Sequence, residues 1–160
     1  MNIPFDGQGK PFNSLDTFYI AKVVPSAFAG GTTNARGDSG GTGDPLTLFN
    51  VTGDVLLGIY GVCTVDLASA GAGSVAVGTT SNLTGIIPST TATEIDAGDV
   101  WVDTTPSVNL ITSDELLFYI VPNGSDIVED TITADITAGN IYYVALWRPL
   151  SDGASVTAAV

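Results

Sequence analysis

The chain has no histidine, one cysteine and only four lysines and arginines, set against seventeen aspartates and glutamates in 160 residues. Between Gly37 and Trp147 it carries fourteen of those acids and not one Lys or Arg. Without histidine there is no side chain that titrates near neutrality at its ordinary pKa, and the commonest nitrogen ligand for zinc is gone. Four scattered bases are too few to neutralise a run of phosphates, which counts against a nucleic-acid partner. They also count against an anionic membrane surface. The lone Cys63 excludes an internal disulfide and any multi-thiolate metal site, so nothing signals an oxidising compartment. The opening Met1-Asn2-Ile3-Pro4-Phe5-Asp6 lacks the charged region and apolar run of a signal peptide. The most apolar run, 55–65, is about eleven residues long and contains two glycines, too short to span a bilayer. The expectation is a soluble, cytoplasm-made protein that is not an enzyme and holds no cofactor.

Formal charge is −13, yet 13% of residues are charged and 44% are hydrophobic. Acidic disordered chains combine high charge with low hydrophobicity, so this one should fold. Its length suits one domain with a real core. Nineteen glycines, with Thr, Ser, Val and Ile abundant, favour strands and turns over helices. Residues 30–45 contain no bulky apolar side chain and read as a flexible loop or linker. The spacing of apolar runs and turn residues predicts strands over 18–24, 46–51, 55–65, 74–78, 83–87, 100–102, 108–111, 116–121, 126–133 and 140–147. Residues 91–96 fit one helical turn. The fold class is therefore all-β, an antiparallel sandwich or barrel, with residues 1–45 an N-terminal arm, strand and linker and 46–160 the sandwich domain.

Two runs are apolar on both faces. Val55, Leu57, Ile59 and Cys63 oppose Leu56, Tyr60 and Val62, and Ile141, Tyr143, Ala145 and Trp147 oppose Tyr142, Val144 and Leu146. A sandwich strand normally leaves one face wet. The second face is either overlaid by a loop or meets another chain; the second alternative makes Tyr60, Tyr142, Val144, Leu146 and Arg148 subunit-interface candidates. Arg148, the one base of the acidic body, should pair with a carboxylate inside the subunit or across that interface.

Other patterns carry little chemistry. Glu94, Asp96, Asp99 and Asp103 are the best calcium candidates, but their spacing fits neither the twelve-residue EF-hand loop nor the nonapeptide repeat, and a solvated turn explains them. Asp126, Glu129, Asp130 and Asp135 read as an outward strand face. Paired acids for glycoside hydrolysis need aromatic platforms, and Trp101 and Trp147 are the only tryptophans. No histidine is present to activate a serine or cysteine nucleophile, and Cys63 reads as an inert core thiol. Arg36-Gly37-Asp38 matches an integrin-binding tripeptide by a three-residue coincidence. Asn50-Val51-Thr52, Asn82-Leu83-Thr84 and Asn123-Gly124-Ser125 match the glycosylation sequon, which has no meaning without secretion.

The runs Leu48-Phe49-Asn50-Val51-Thr52-Gly53-Asp54-Val55 and Gly61-Val62-Cys63-Thr64 carry a resemblance. So do Ser74-Val75-Ala76-Val77-Gly78, the stretch from Thr90 to Trp101, and Tyr143-Val144-Ala145-Leu146-Trp147-Arg148-Pro149-Leu150-Ser151. Together, over residues 46–153, they resemble the head decoration or cement proteins of tailed bacteriophages. The resemblance implies a jelly-roll-like sandwich, assembled as a homotrimer on the outside of the capsid. It would bind the major capsid protein there, stabilise the shell and do no catalysis. Outside the resemblance, the less acidic segment 1–45 is expected from its own residues to be an arm laid on the shell, with Phe5, Lys10, Phe12, Phe18 and Lys22 facing the capsid and Tyr19 helping the phenylalanines to anchor it. The alternative expectation is a head or tail fibre module that binds a receptor or glycan.

Overall fold

The protein, described by a computed structural model over residues 18–109 and 115–160, is an all-β sandwich. Its strands are β1 (Tyr19–Val23), β2 (Leu46–Thr52), β3 (Val55–Ser69), β4 (Ser74–Thr79), β5 (Asn82–Thr91), β6 (Val100–Trp101), β7 (Tyr119–Val121), β8 (Ile127–Ile132), β9 (Ile136–Pro149) and β10 (Ser155–Ala158). One 3-10 turn, Ala92–Glu94, falls where the sequence predicts a helical turn. No helix among the described residues is long and apolar enough to cross a membrane.

Two antiparallel sheets pack face to face. One runs β1-β9-β3-β6, with β7 also on β3; the other runs β10-β2-β8-β4-β5. The pairing is nested: β1 with β9, β2 with β8, β3 with β6 and β7, and β4 with β5. Strand β10, at an end of the chain with no predicted strand, adds to the outside of β2 and puts Val156 in the core.

The two-faced runs resolve by register. Val55, Leu57, Ile59 and Cys63 of β3 point inward with Ile141, Tyr143, Ala145 and Trp147 of β9, nearly all of them fully buried. They meet Leu48, Phe49, Val75, Ile87 and Ile127 of the second sheet in one cluster. The predicted strand at 108–111 does not form at Val108, which is 71% exposed; the preceding Ser107 makes only an isolated bridge to Val100. Residues 110–111 lie outside the described residues, as do Phe5, Lys10 and Phe12.

Residues 29–44 are not the open linker that their composition suggests. Backbone N–H groups of Thr32, Ala35, Asp38, Gly41 and Asp44 each donate to the carbonyl three residues back, at 2.8–3.1 Å, giving five turns in succession. Side chains add to the order: Asp38 accepts from Asn34 N, and Asn34 Oδ1 from Thr42 N. The strap is tied to the sandwich. Gly30 N donates to the Ile136 carbonyl, Ile136 N to that of Gly37, Thr131 N to Asp44 Oδ1 and Ser39 N to Asp135 Oδ1.

Candidate interaction surface

The strap's anchor is Arg36, 7% exposed, whose guanidinium reaches between the sheets. Its Nε donates to Glu129 Oε1 at 2.8 Å and one terminal nitrogen to Oε2 at 2.6 Å, a bidentate pair. The other terminal nitrogen donates to the Ser26 carbonyl at 2.6 Å and to Asn140 Oδ1 at 3.1 Å. The Phe28 ring lies 3.8 Å under it, and the Tyr143 hydroxyl donates to Glu129 Oε2. Burial alone would lower the Arg36 pKa, but the Glu129 charge and hydrogen bond override it and hold it above the ordinary value. Burial, then the Glu129 charge, raises Tyr143 well above the usual phenol range. One sequence expectation is thereby corrected. Glu129 faces the core, because it shares the phase of Ile127 and Thr131 on the central strand β8. Arg36 is consumed inside the protein, so the Arg36-Gly37-Asp38 tripeptide does not present its arginine to a partner.

The acidic cluster is turned against backbone. Asp99 Oδ2 accepts from Asp96 N at 2.9 Å, and Asp66 Oδ1 from Ala97 N at 2.7 Å. Asp103 Oδ1 accepts from Thr105 N and Oγ1. Among the described residues no three of Cys, Asp or Glu converge to hold a metal ion. Cys63 is buried, and burial followed by the charges of Asp66, Asp99 and Asp96 pushes its thiol up to about 11. Its thiolate fraction at pH 8 falls below that of a free cysteine by ~10²-fold. Labelling with iodoacetamide at pH 8 is expected to be slower in the native chain than in denaturant by at least that factor. Equal rates would show that Cys63 is accessible.

The remaining feature is the outer face of the β1–β9–β3 sheet. Register sets its rows: Leu56 beside Arg148 and Ile120, Gly58 beside Leu146 and Ile20, Tyr60 beside Val144 and Lys22, and Val62 beside Tyr142 and Val100. All five interface candidates from the sequence therefore lie on one surface. Lys22, placed by the sequence among capsid-facing residues, lies there too, its Nζ 4.1 Å from the Tyr142 ring centroid. Phe18 joins them, its ring 4.9 Å from that of Phe118. Phe118 packs over Gly58, where an added Cβ would stand 2.9 Å from the ring, so only glycine admits that cover.

The face is incompletely covered. Ile20 is 71% and Ile120 74% exposed, and Val24 and Leu117 are also open. Val144 is buried, and Tyr60, Tyr142, Leu146 and Arg148 are half-buried. Burial, then proximity to Tyr142, raises the Tyr60 hydroxyl above its usual pKa. Apolar surface left open to this extent is uncommon on a folded domain.

A cavity of about 210 Å³ opens between the β4–β5 hairpin and β7, with Thr79, Ser81, Asn82, Ile86, Tyr119 and Ser125 in its wall. None of its lining residues is charged. The Tyr119 hydroxyl is already committed to the Ile86 carbonyl at 3.1 Å.

The fold and this surface define a class: an all-β, two-sheet antiparallel sandwich with one apolar outer face. Comparison with protein-family models, curated proteins and solved structures finds no significant match to the chain.

Proposed function

We propose that this chain is a structural protein of a virus particle, a capsid decoration or cement protein that coats the shell as a homo-oligomer and does no catalysis. The observation that carries an assembly role is the half-covered apolar face of β1, β9 and β3, on which the interface candidates converge. The resemblance over residues 46–153 points that role to a phage capsid, with the major capsid protein as partner and the virion exterior as its place. The nested strand pairing supports a jelly-roll reading, an architecture shared by viral coat and lectin domains. An acidic remainder keeps many copies soluble. The mechanism is mechanical: each bound copy adds contacts between capsomers and raises the temperature or force that opens the shell.

The test mixes purified chain with expanded shells assembled from a tailed-phage major capsid protein. Saturable co-sedimentation is expected, with a higher shell-opening temperature. Shells that retain no chain overturn the proposal. The receptor- or glycan-binding alternative draws on the uncharged cavity beside Tyr119, which suits a neutral hydroxylated ligand. Against it, Trp101 and Trp147 are both buried and present no platform. Saturable uptake of a neutral monosaccharide, seen at the Ile86 and Tyr119 amides, would move the reading there.

A further inference from the structure

We infer that Asn123 is a chemical modification site, where spontaneous loss of the side-chain amide unfastens one end of the sandwich. The site is independent of the coat function proposed above.

Three connections meet at that end: 53–54 between β2 and β3, 122–126 between β7 and β8, and 150–154 between β9 and β10. Asn123 fastens the first two. Its Oδ1 accepts from Gly53 N at 2.7 Å, and its own N–H donates to Asp54 Oδ1 at 3.0 Å. Asp54 carries the link to the third. Its N–H donates to Ser151 Oγ at 2.8 Å, and its carbonyl accepts from Leu150 N at 2.8 Å.

Of the eight asparagines, only Asn123 is followed by glycine. Cyclisation at an asparagine requires the next backbone nitrogen to reach Cγ, and a side chain on that next residue obstructs the approach. Gly124 has none, and a Cβ built there would meet nothing within 4 Å. Both residues are exposed, so water reaches the amide. The Gly124 nitrogen, its proton lost to solvent, attacks Cγ. The Cγ–Nδ2 bond breaks, ammonia leaves and a succinimide ring closes. Water then opens the ring at either carbonyl, leaving isoaspartate or aspartate.

The fold pulls this reaction both ways. Gly53 N–H already lies on the oxygen that gains negative charge during the attack, which favours it. Against it, Gly124 N donates to the Val51 carbonyl and must leave it to reach Cγ. At 3.3 Å that bond is longer than a usual N–H···O bond, the weakest of the ties that hold Asn123-Gly124. Brief local opening is then enough to start the chemistry. Either product adds a carboxylate close to that of Asp54, and like charges repel. Isoaspartate also lengthens the main chain by a methylene and removes the carboxamide that holds Gly53.

The experiment incubates the full chain at pH 8, native and in urea, and follows each asparagine by peptide mapping with mass spectrometry. Asn123 is expected to convert first among the described asparagines. In the native chain it should convert more slowly than in urea, by about tenfold or more. Asp54→Ala, which frees the Asn123 N–H, should speed native conversion several-fold and leave the rate in urea unchanged. Converted chain, separated by ion exchange, should exchange the amides of 51–54 and 150–154 faster than unconverted chain. Asn123→Asp, which adds the charge without the methylene, should show a smaller increase. A native chain that keeps Asn123 intact while the unfolded chain loses it would overturn the site. Unchanged exchange at 51–54 in the converted chain would overturn the fastening role.

Discussion

Glu129→Gln is expected to lower the unfolding free energy by about 3–5 kcal/mol, the loss seen when one partner of a buried ion pair is removed. The substitution keeps the volume of the side chain and an acceptor for the Tyr143 hydroxyl, so packing changes little. What it removes is the charge opposite Arg36, whose side chain is 2% exposed. A guanidinium left between two sheets has no water to turn to. The remaining acceptors, the Ser26 and Ile141 carbonyls and Asn140 Oδ1, are neutral. Folded domains hold only about 5–15 kcal/mol in total, so this is a large share. Equilibrium unfolding in urea at pH 7 measures it. A loss below about 1 kcal/mol would mean that water reaches the pair.

The companion variant separates attraction from desolvation. Arg36→Met, Glu129→Leu and Tyr143→Phe together remove the ion pair and the phenol, leaving of the network's polar side chains only the half-buried Asn140. Replacing a buried pair with apolar groups of similar size is often neutral, so the triple variant should recover at least half of the Glu129→Gln loss. It should not recover the strap. Residues 29–44 would keep their turns and the five ties to Thr131, Asp135 and Ile136, but would lose the one side chain that enters the core. Faster amide exchange across 29–38 in the triple variant, at near-native global stability, is the expected signature.

How far the sequence discloses this depends on the residue. Alternation of apolar side chains places β1, β2, β4 and β8 to within about two residues, because in each the pattern and the pairing coincide. It also separates the inner and outer faces of β3 and β9, which is why Tyr60, Tyr142, Val144 and Leu146 converge on one surface. The ends of those strands are a different matter. β3 continues to Ser69 and β9 begins at Ile136, through register shifts after Cys63, Val65 and Ala68 that break the period of two. β10 has one buried apolar side chain, Val156, among small residues, too little for periodicity to register. Glu129 is hidden because both faces of β8 mix apolar and polar residues, so alternation cannot say which is inside. The signal that does exist is phase: Glu129 is two residues from Ile127. The glycine-rich strap misleads because composition reports the absence of side-chain packing, while its order comes from backbone hydrogen bonds at every third residue.

Trp101→Ala is expected to cost about 3–5 kcal/mol, the range for emptying a large buried aromatic site. Trp101 sits on β6, a strand of two residues that pairs with β3 only at Gly61 and Val62. So short a strand is held by its side chain more than by its ladder. The indole is fully buried, 6.4 Å from the Tyr143 ring, and its Nε1 donates to Thr90 Oγ1 at 2.9 Å. Gly61 makes room for this: a Cβ there would lie 2.9 Å from Ile141 and 3.2 Å from both rings. Trp101→Phe fills most of the site and leaves Thr90 Oγ1 without its donor, so a loss of about 1–3 kcal/mol is expected. Gly61→Ala attacks the same meeting point from the facing strand, and adding it to Trp101→Ala should cost less than it does alone. Chemical denaturation of the four proteins measures that coupling. Strictly additive losses would show that Trp101 and Gly61 do not share one packing site, and that β6 is held by contacts other than its tryptophan.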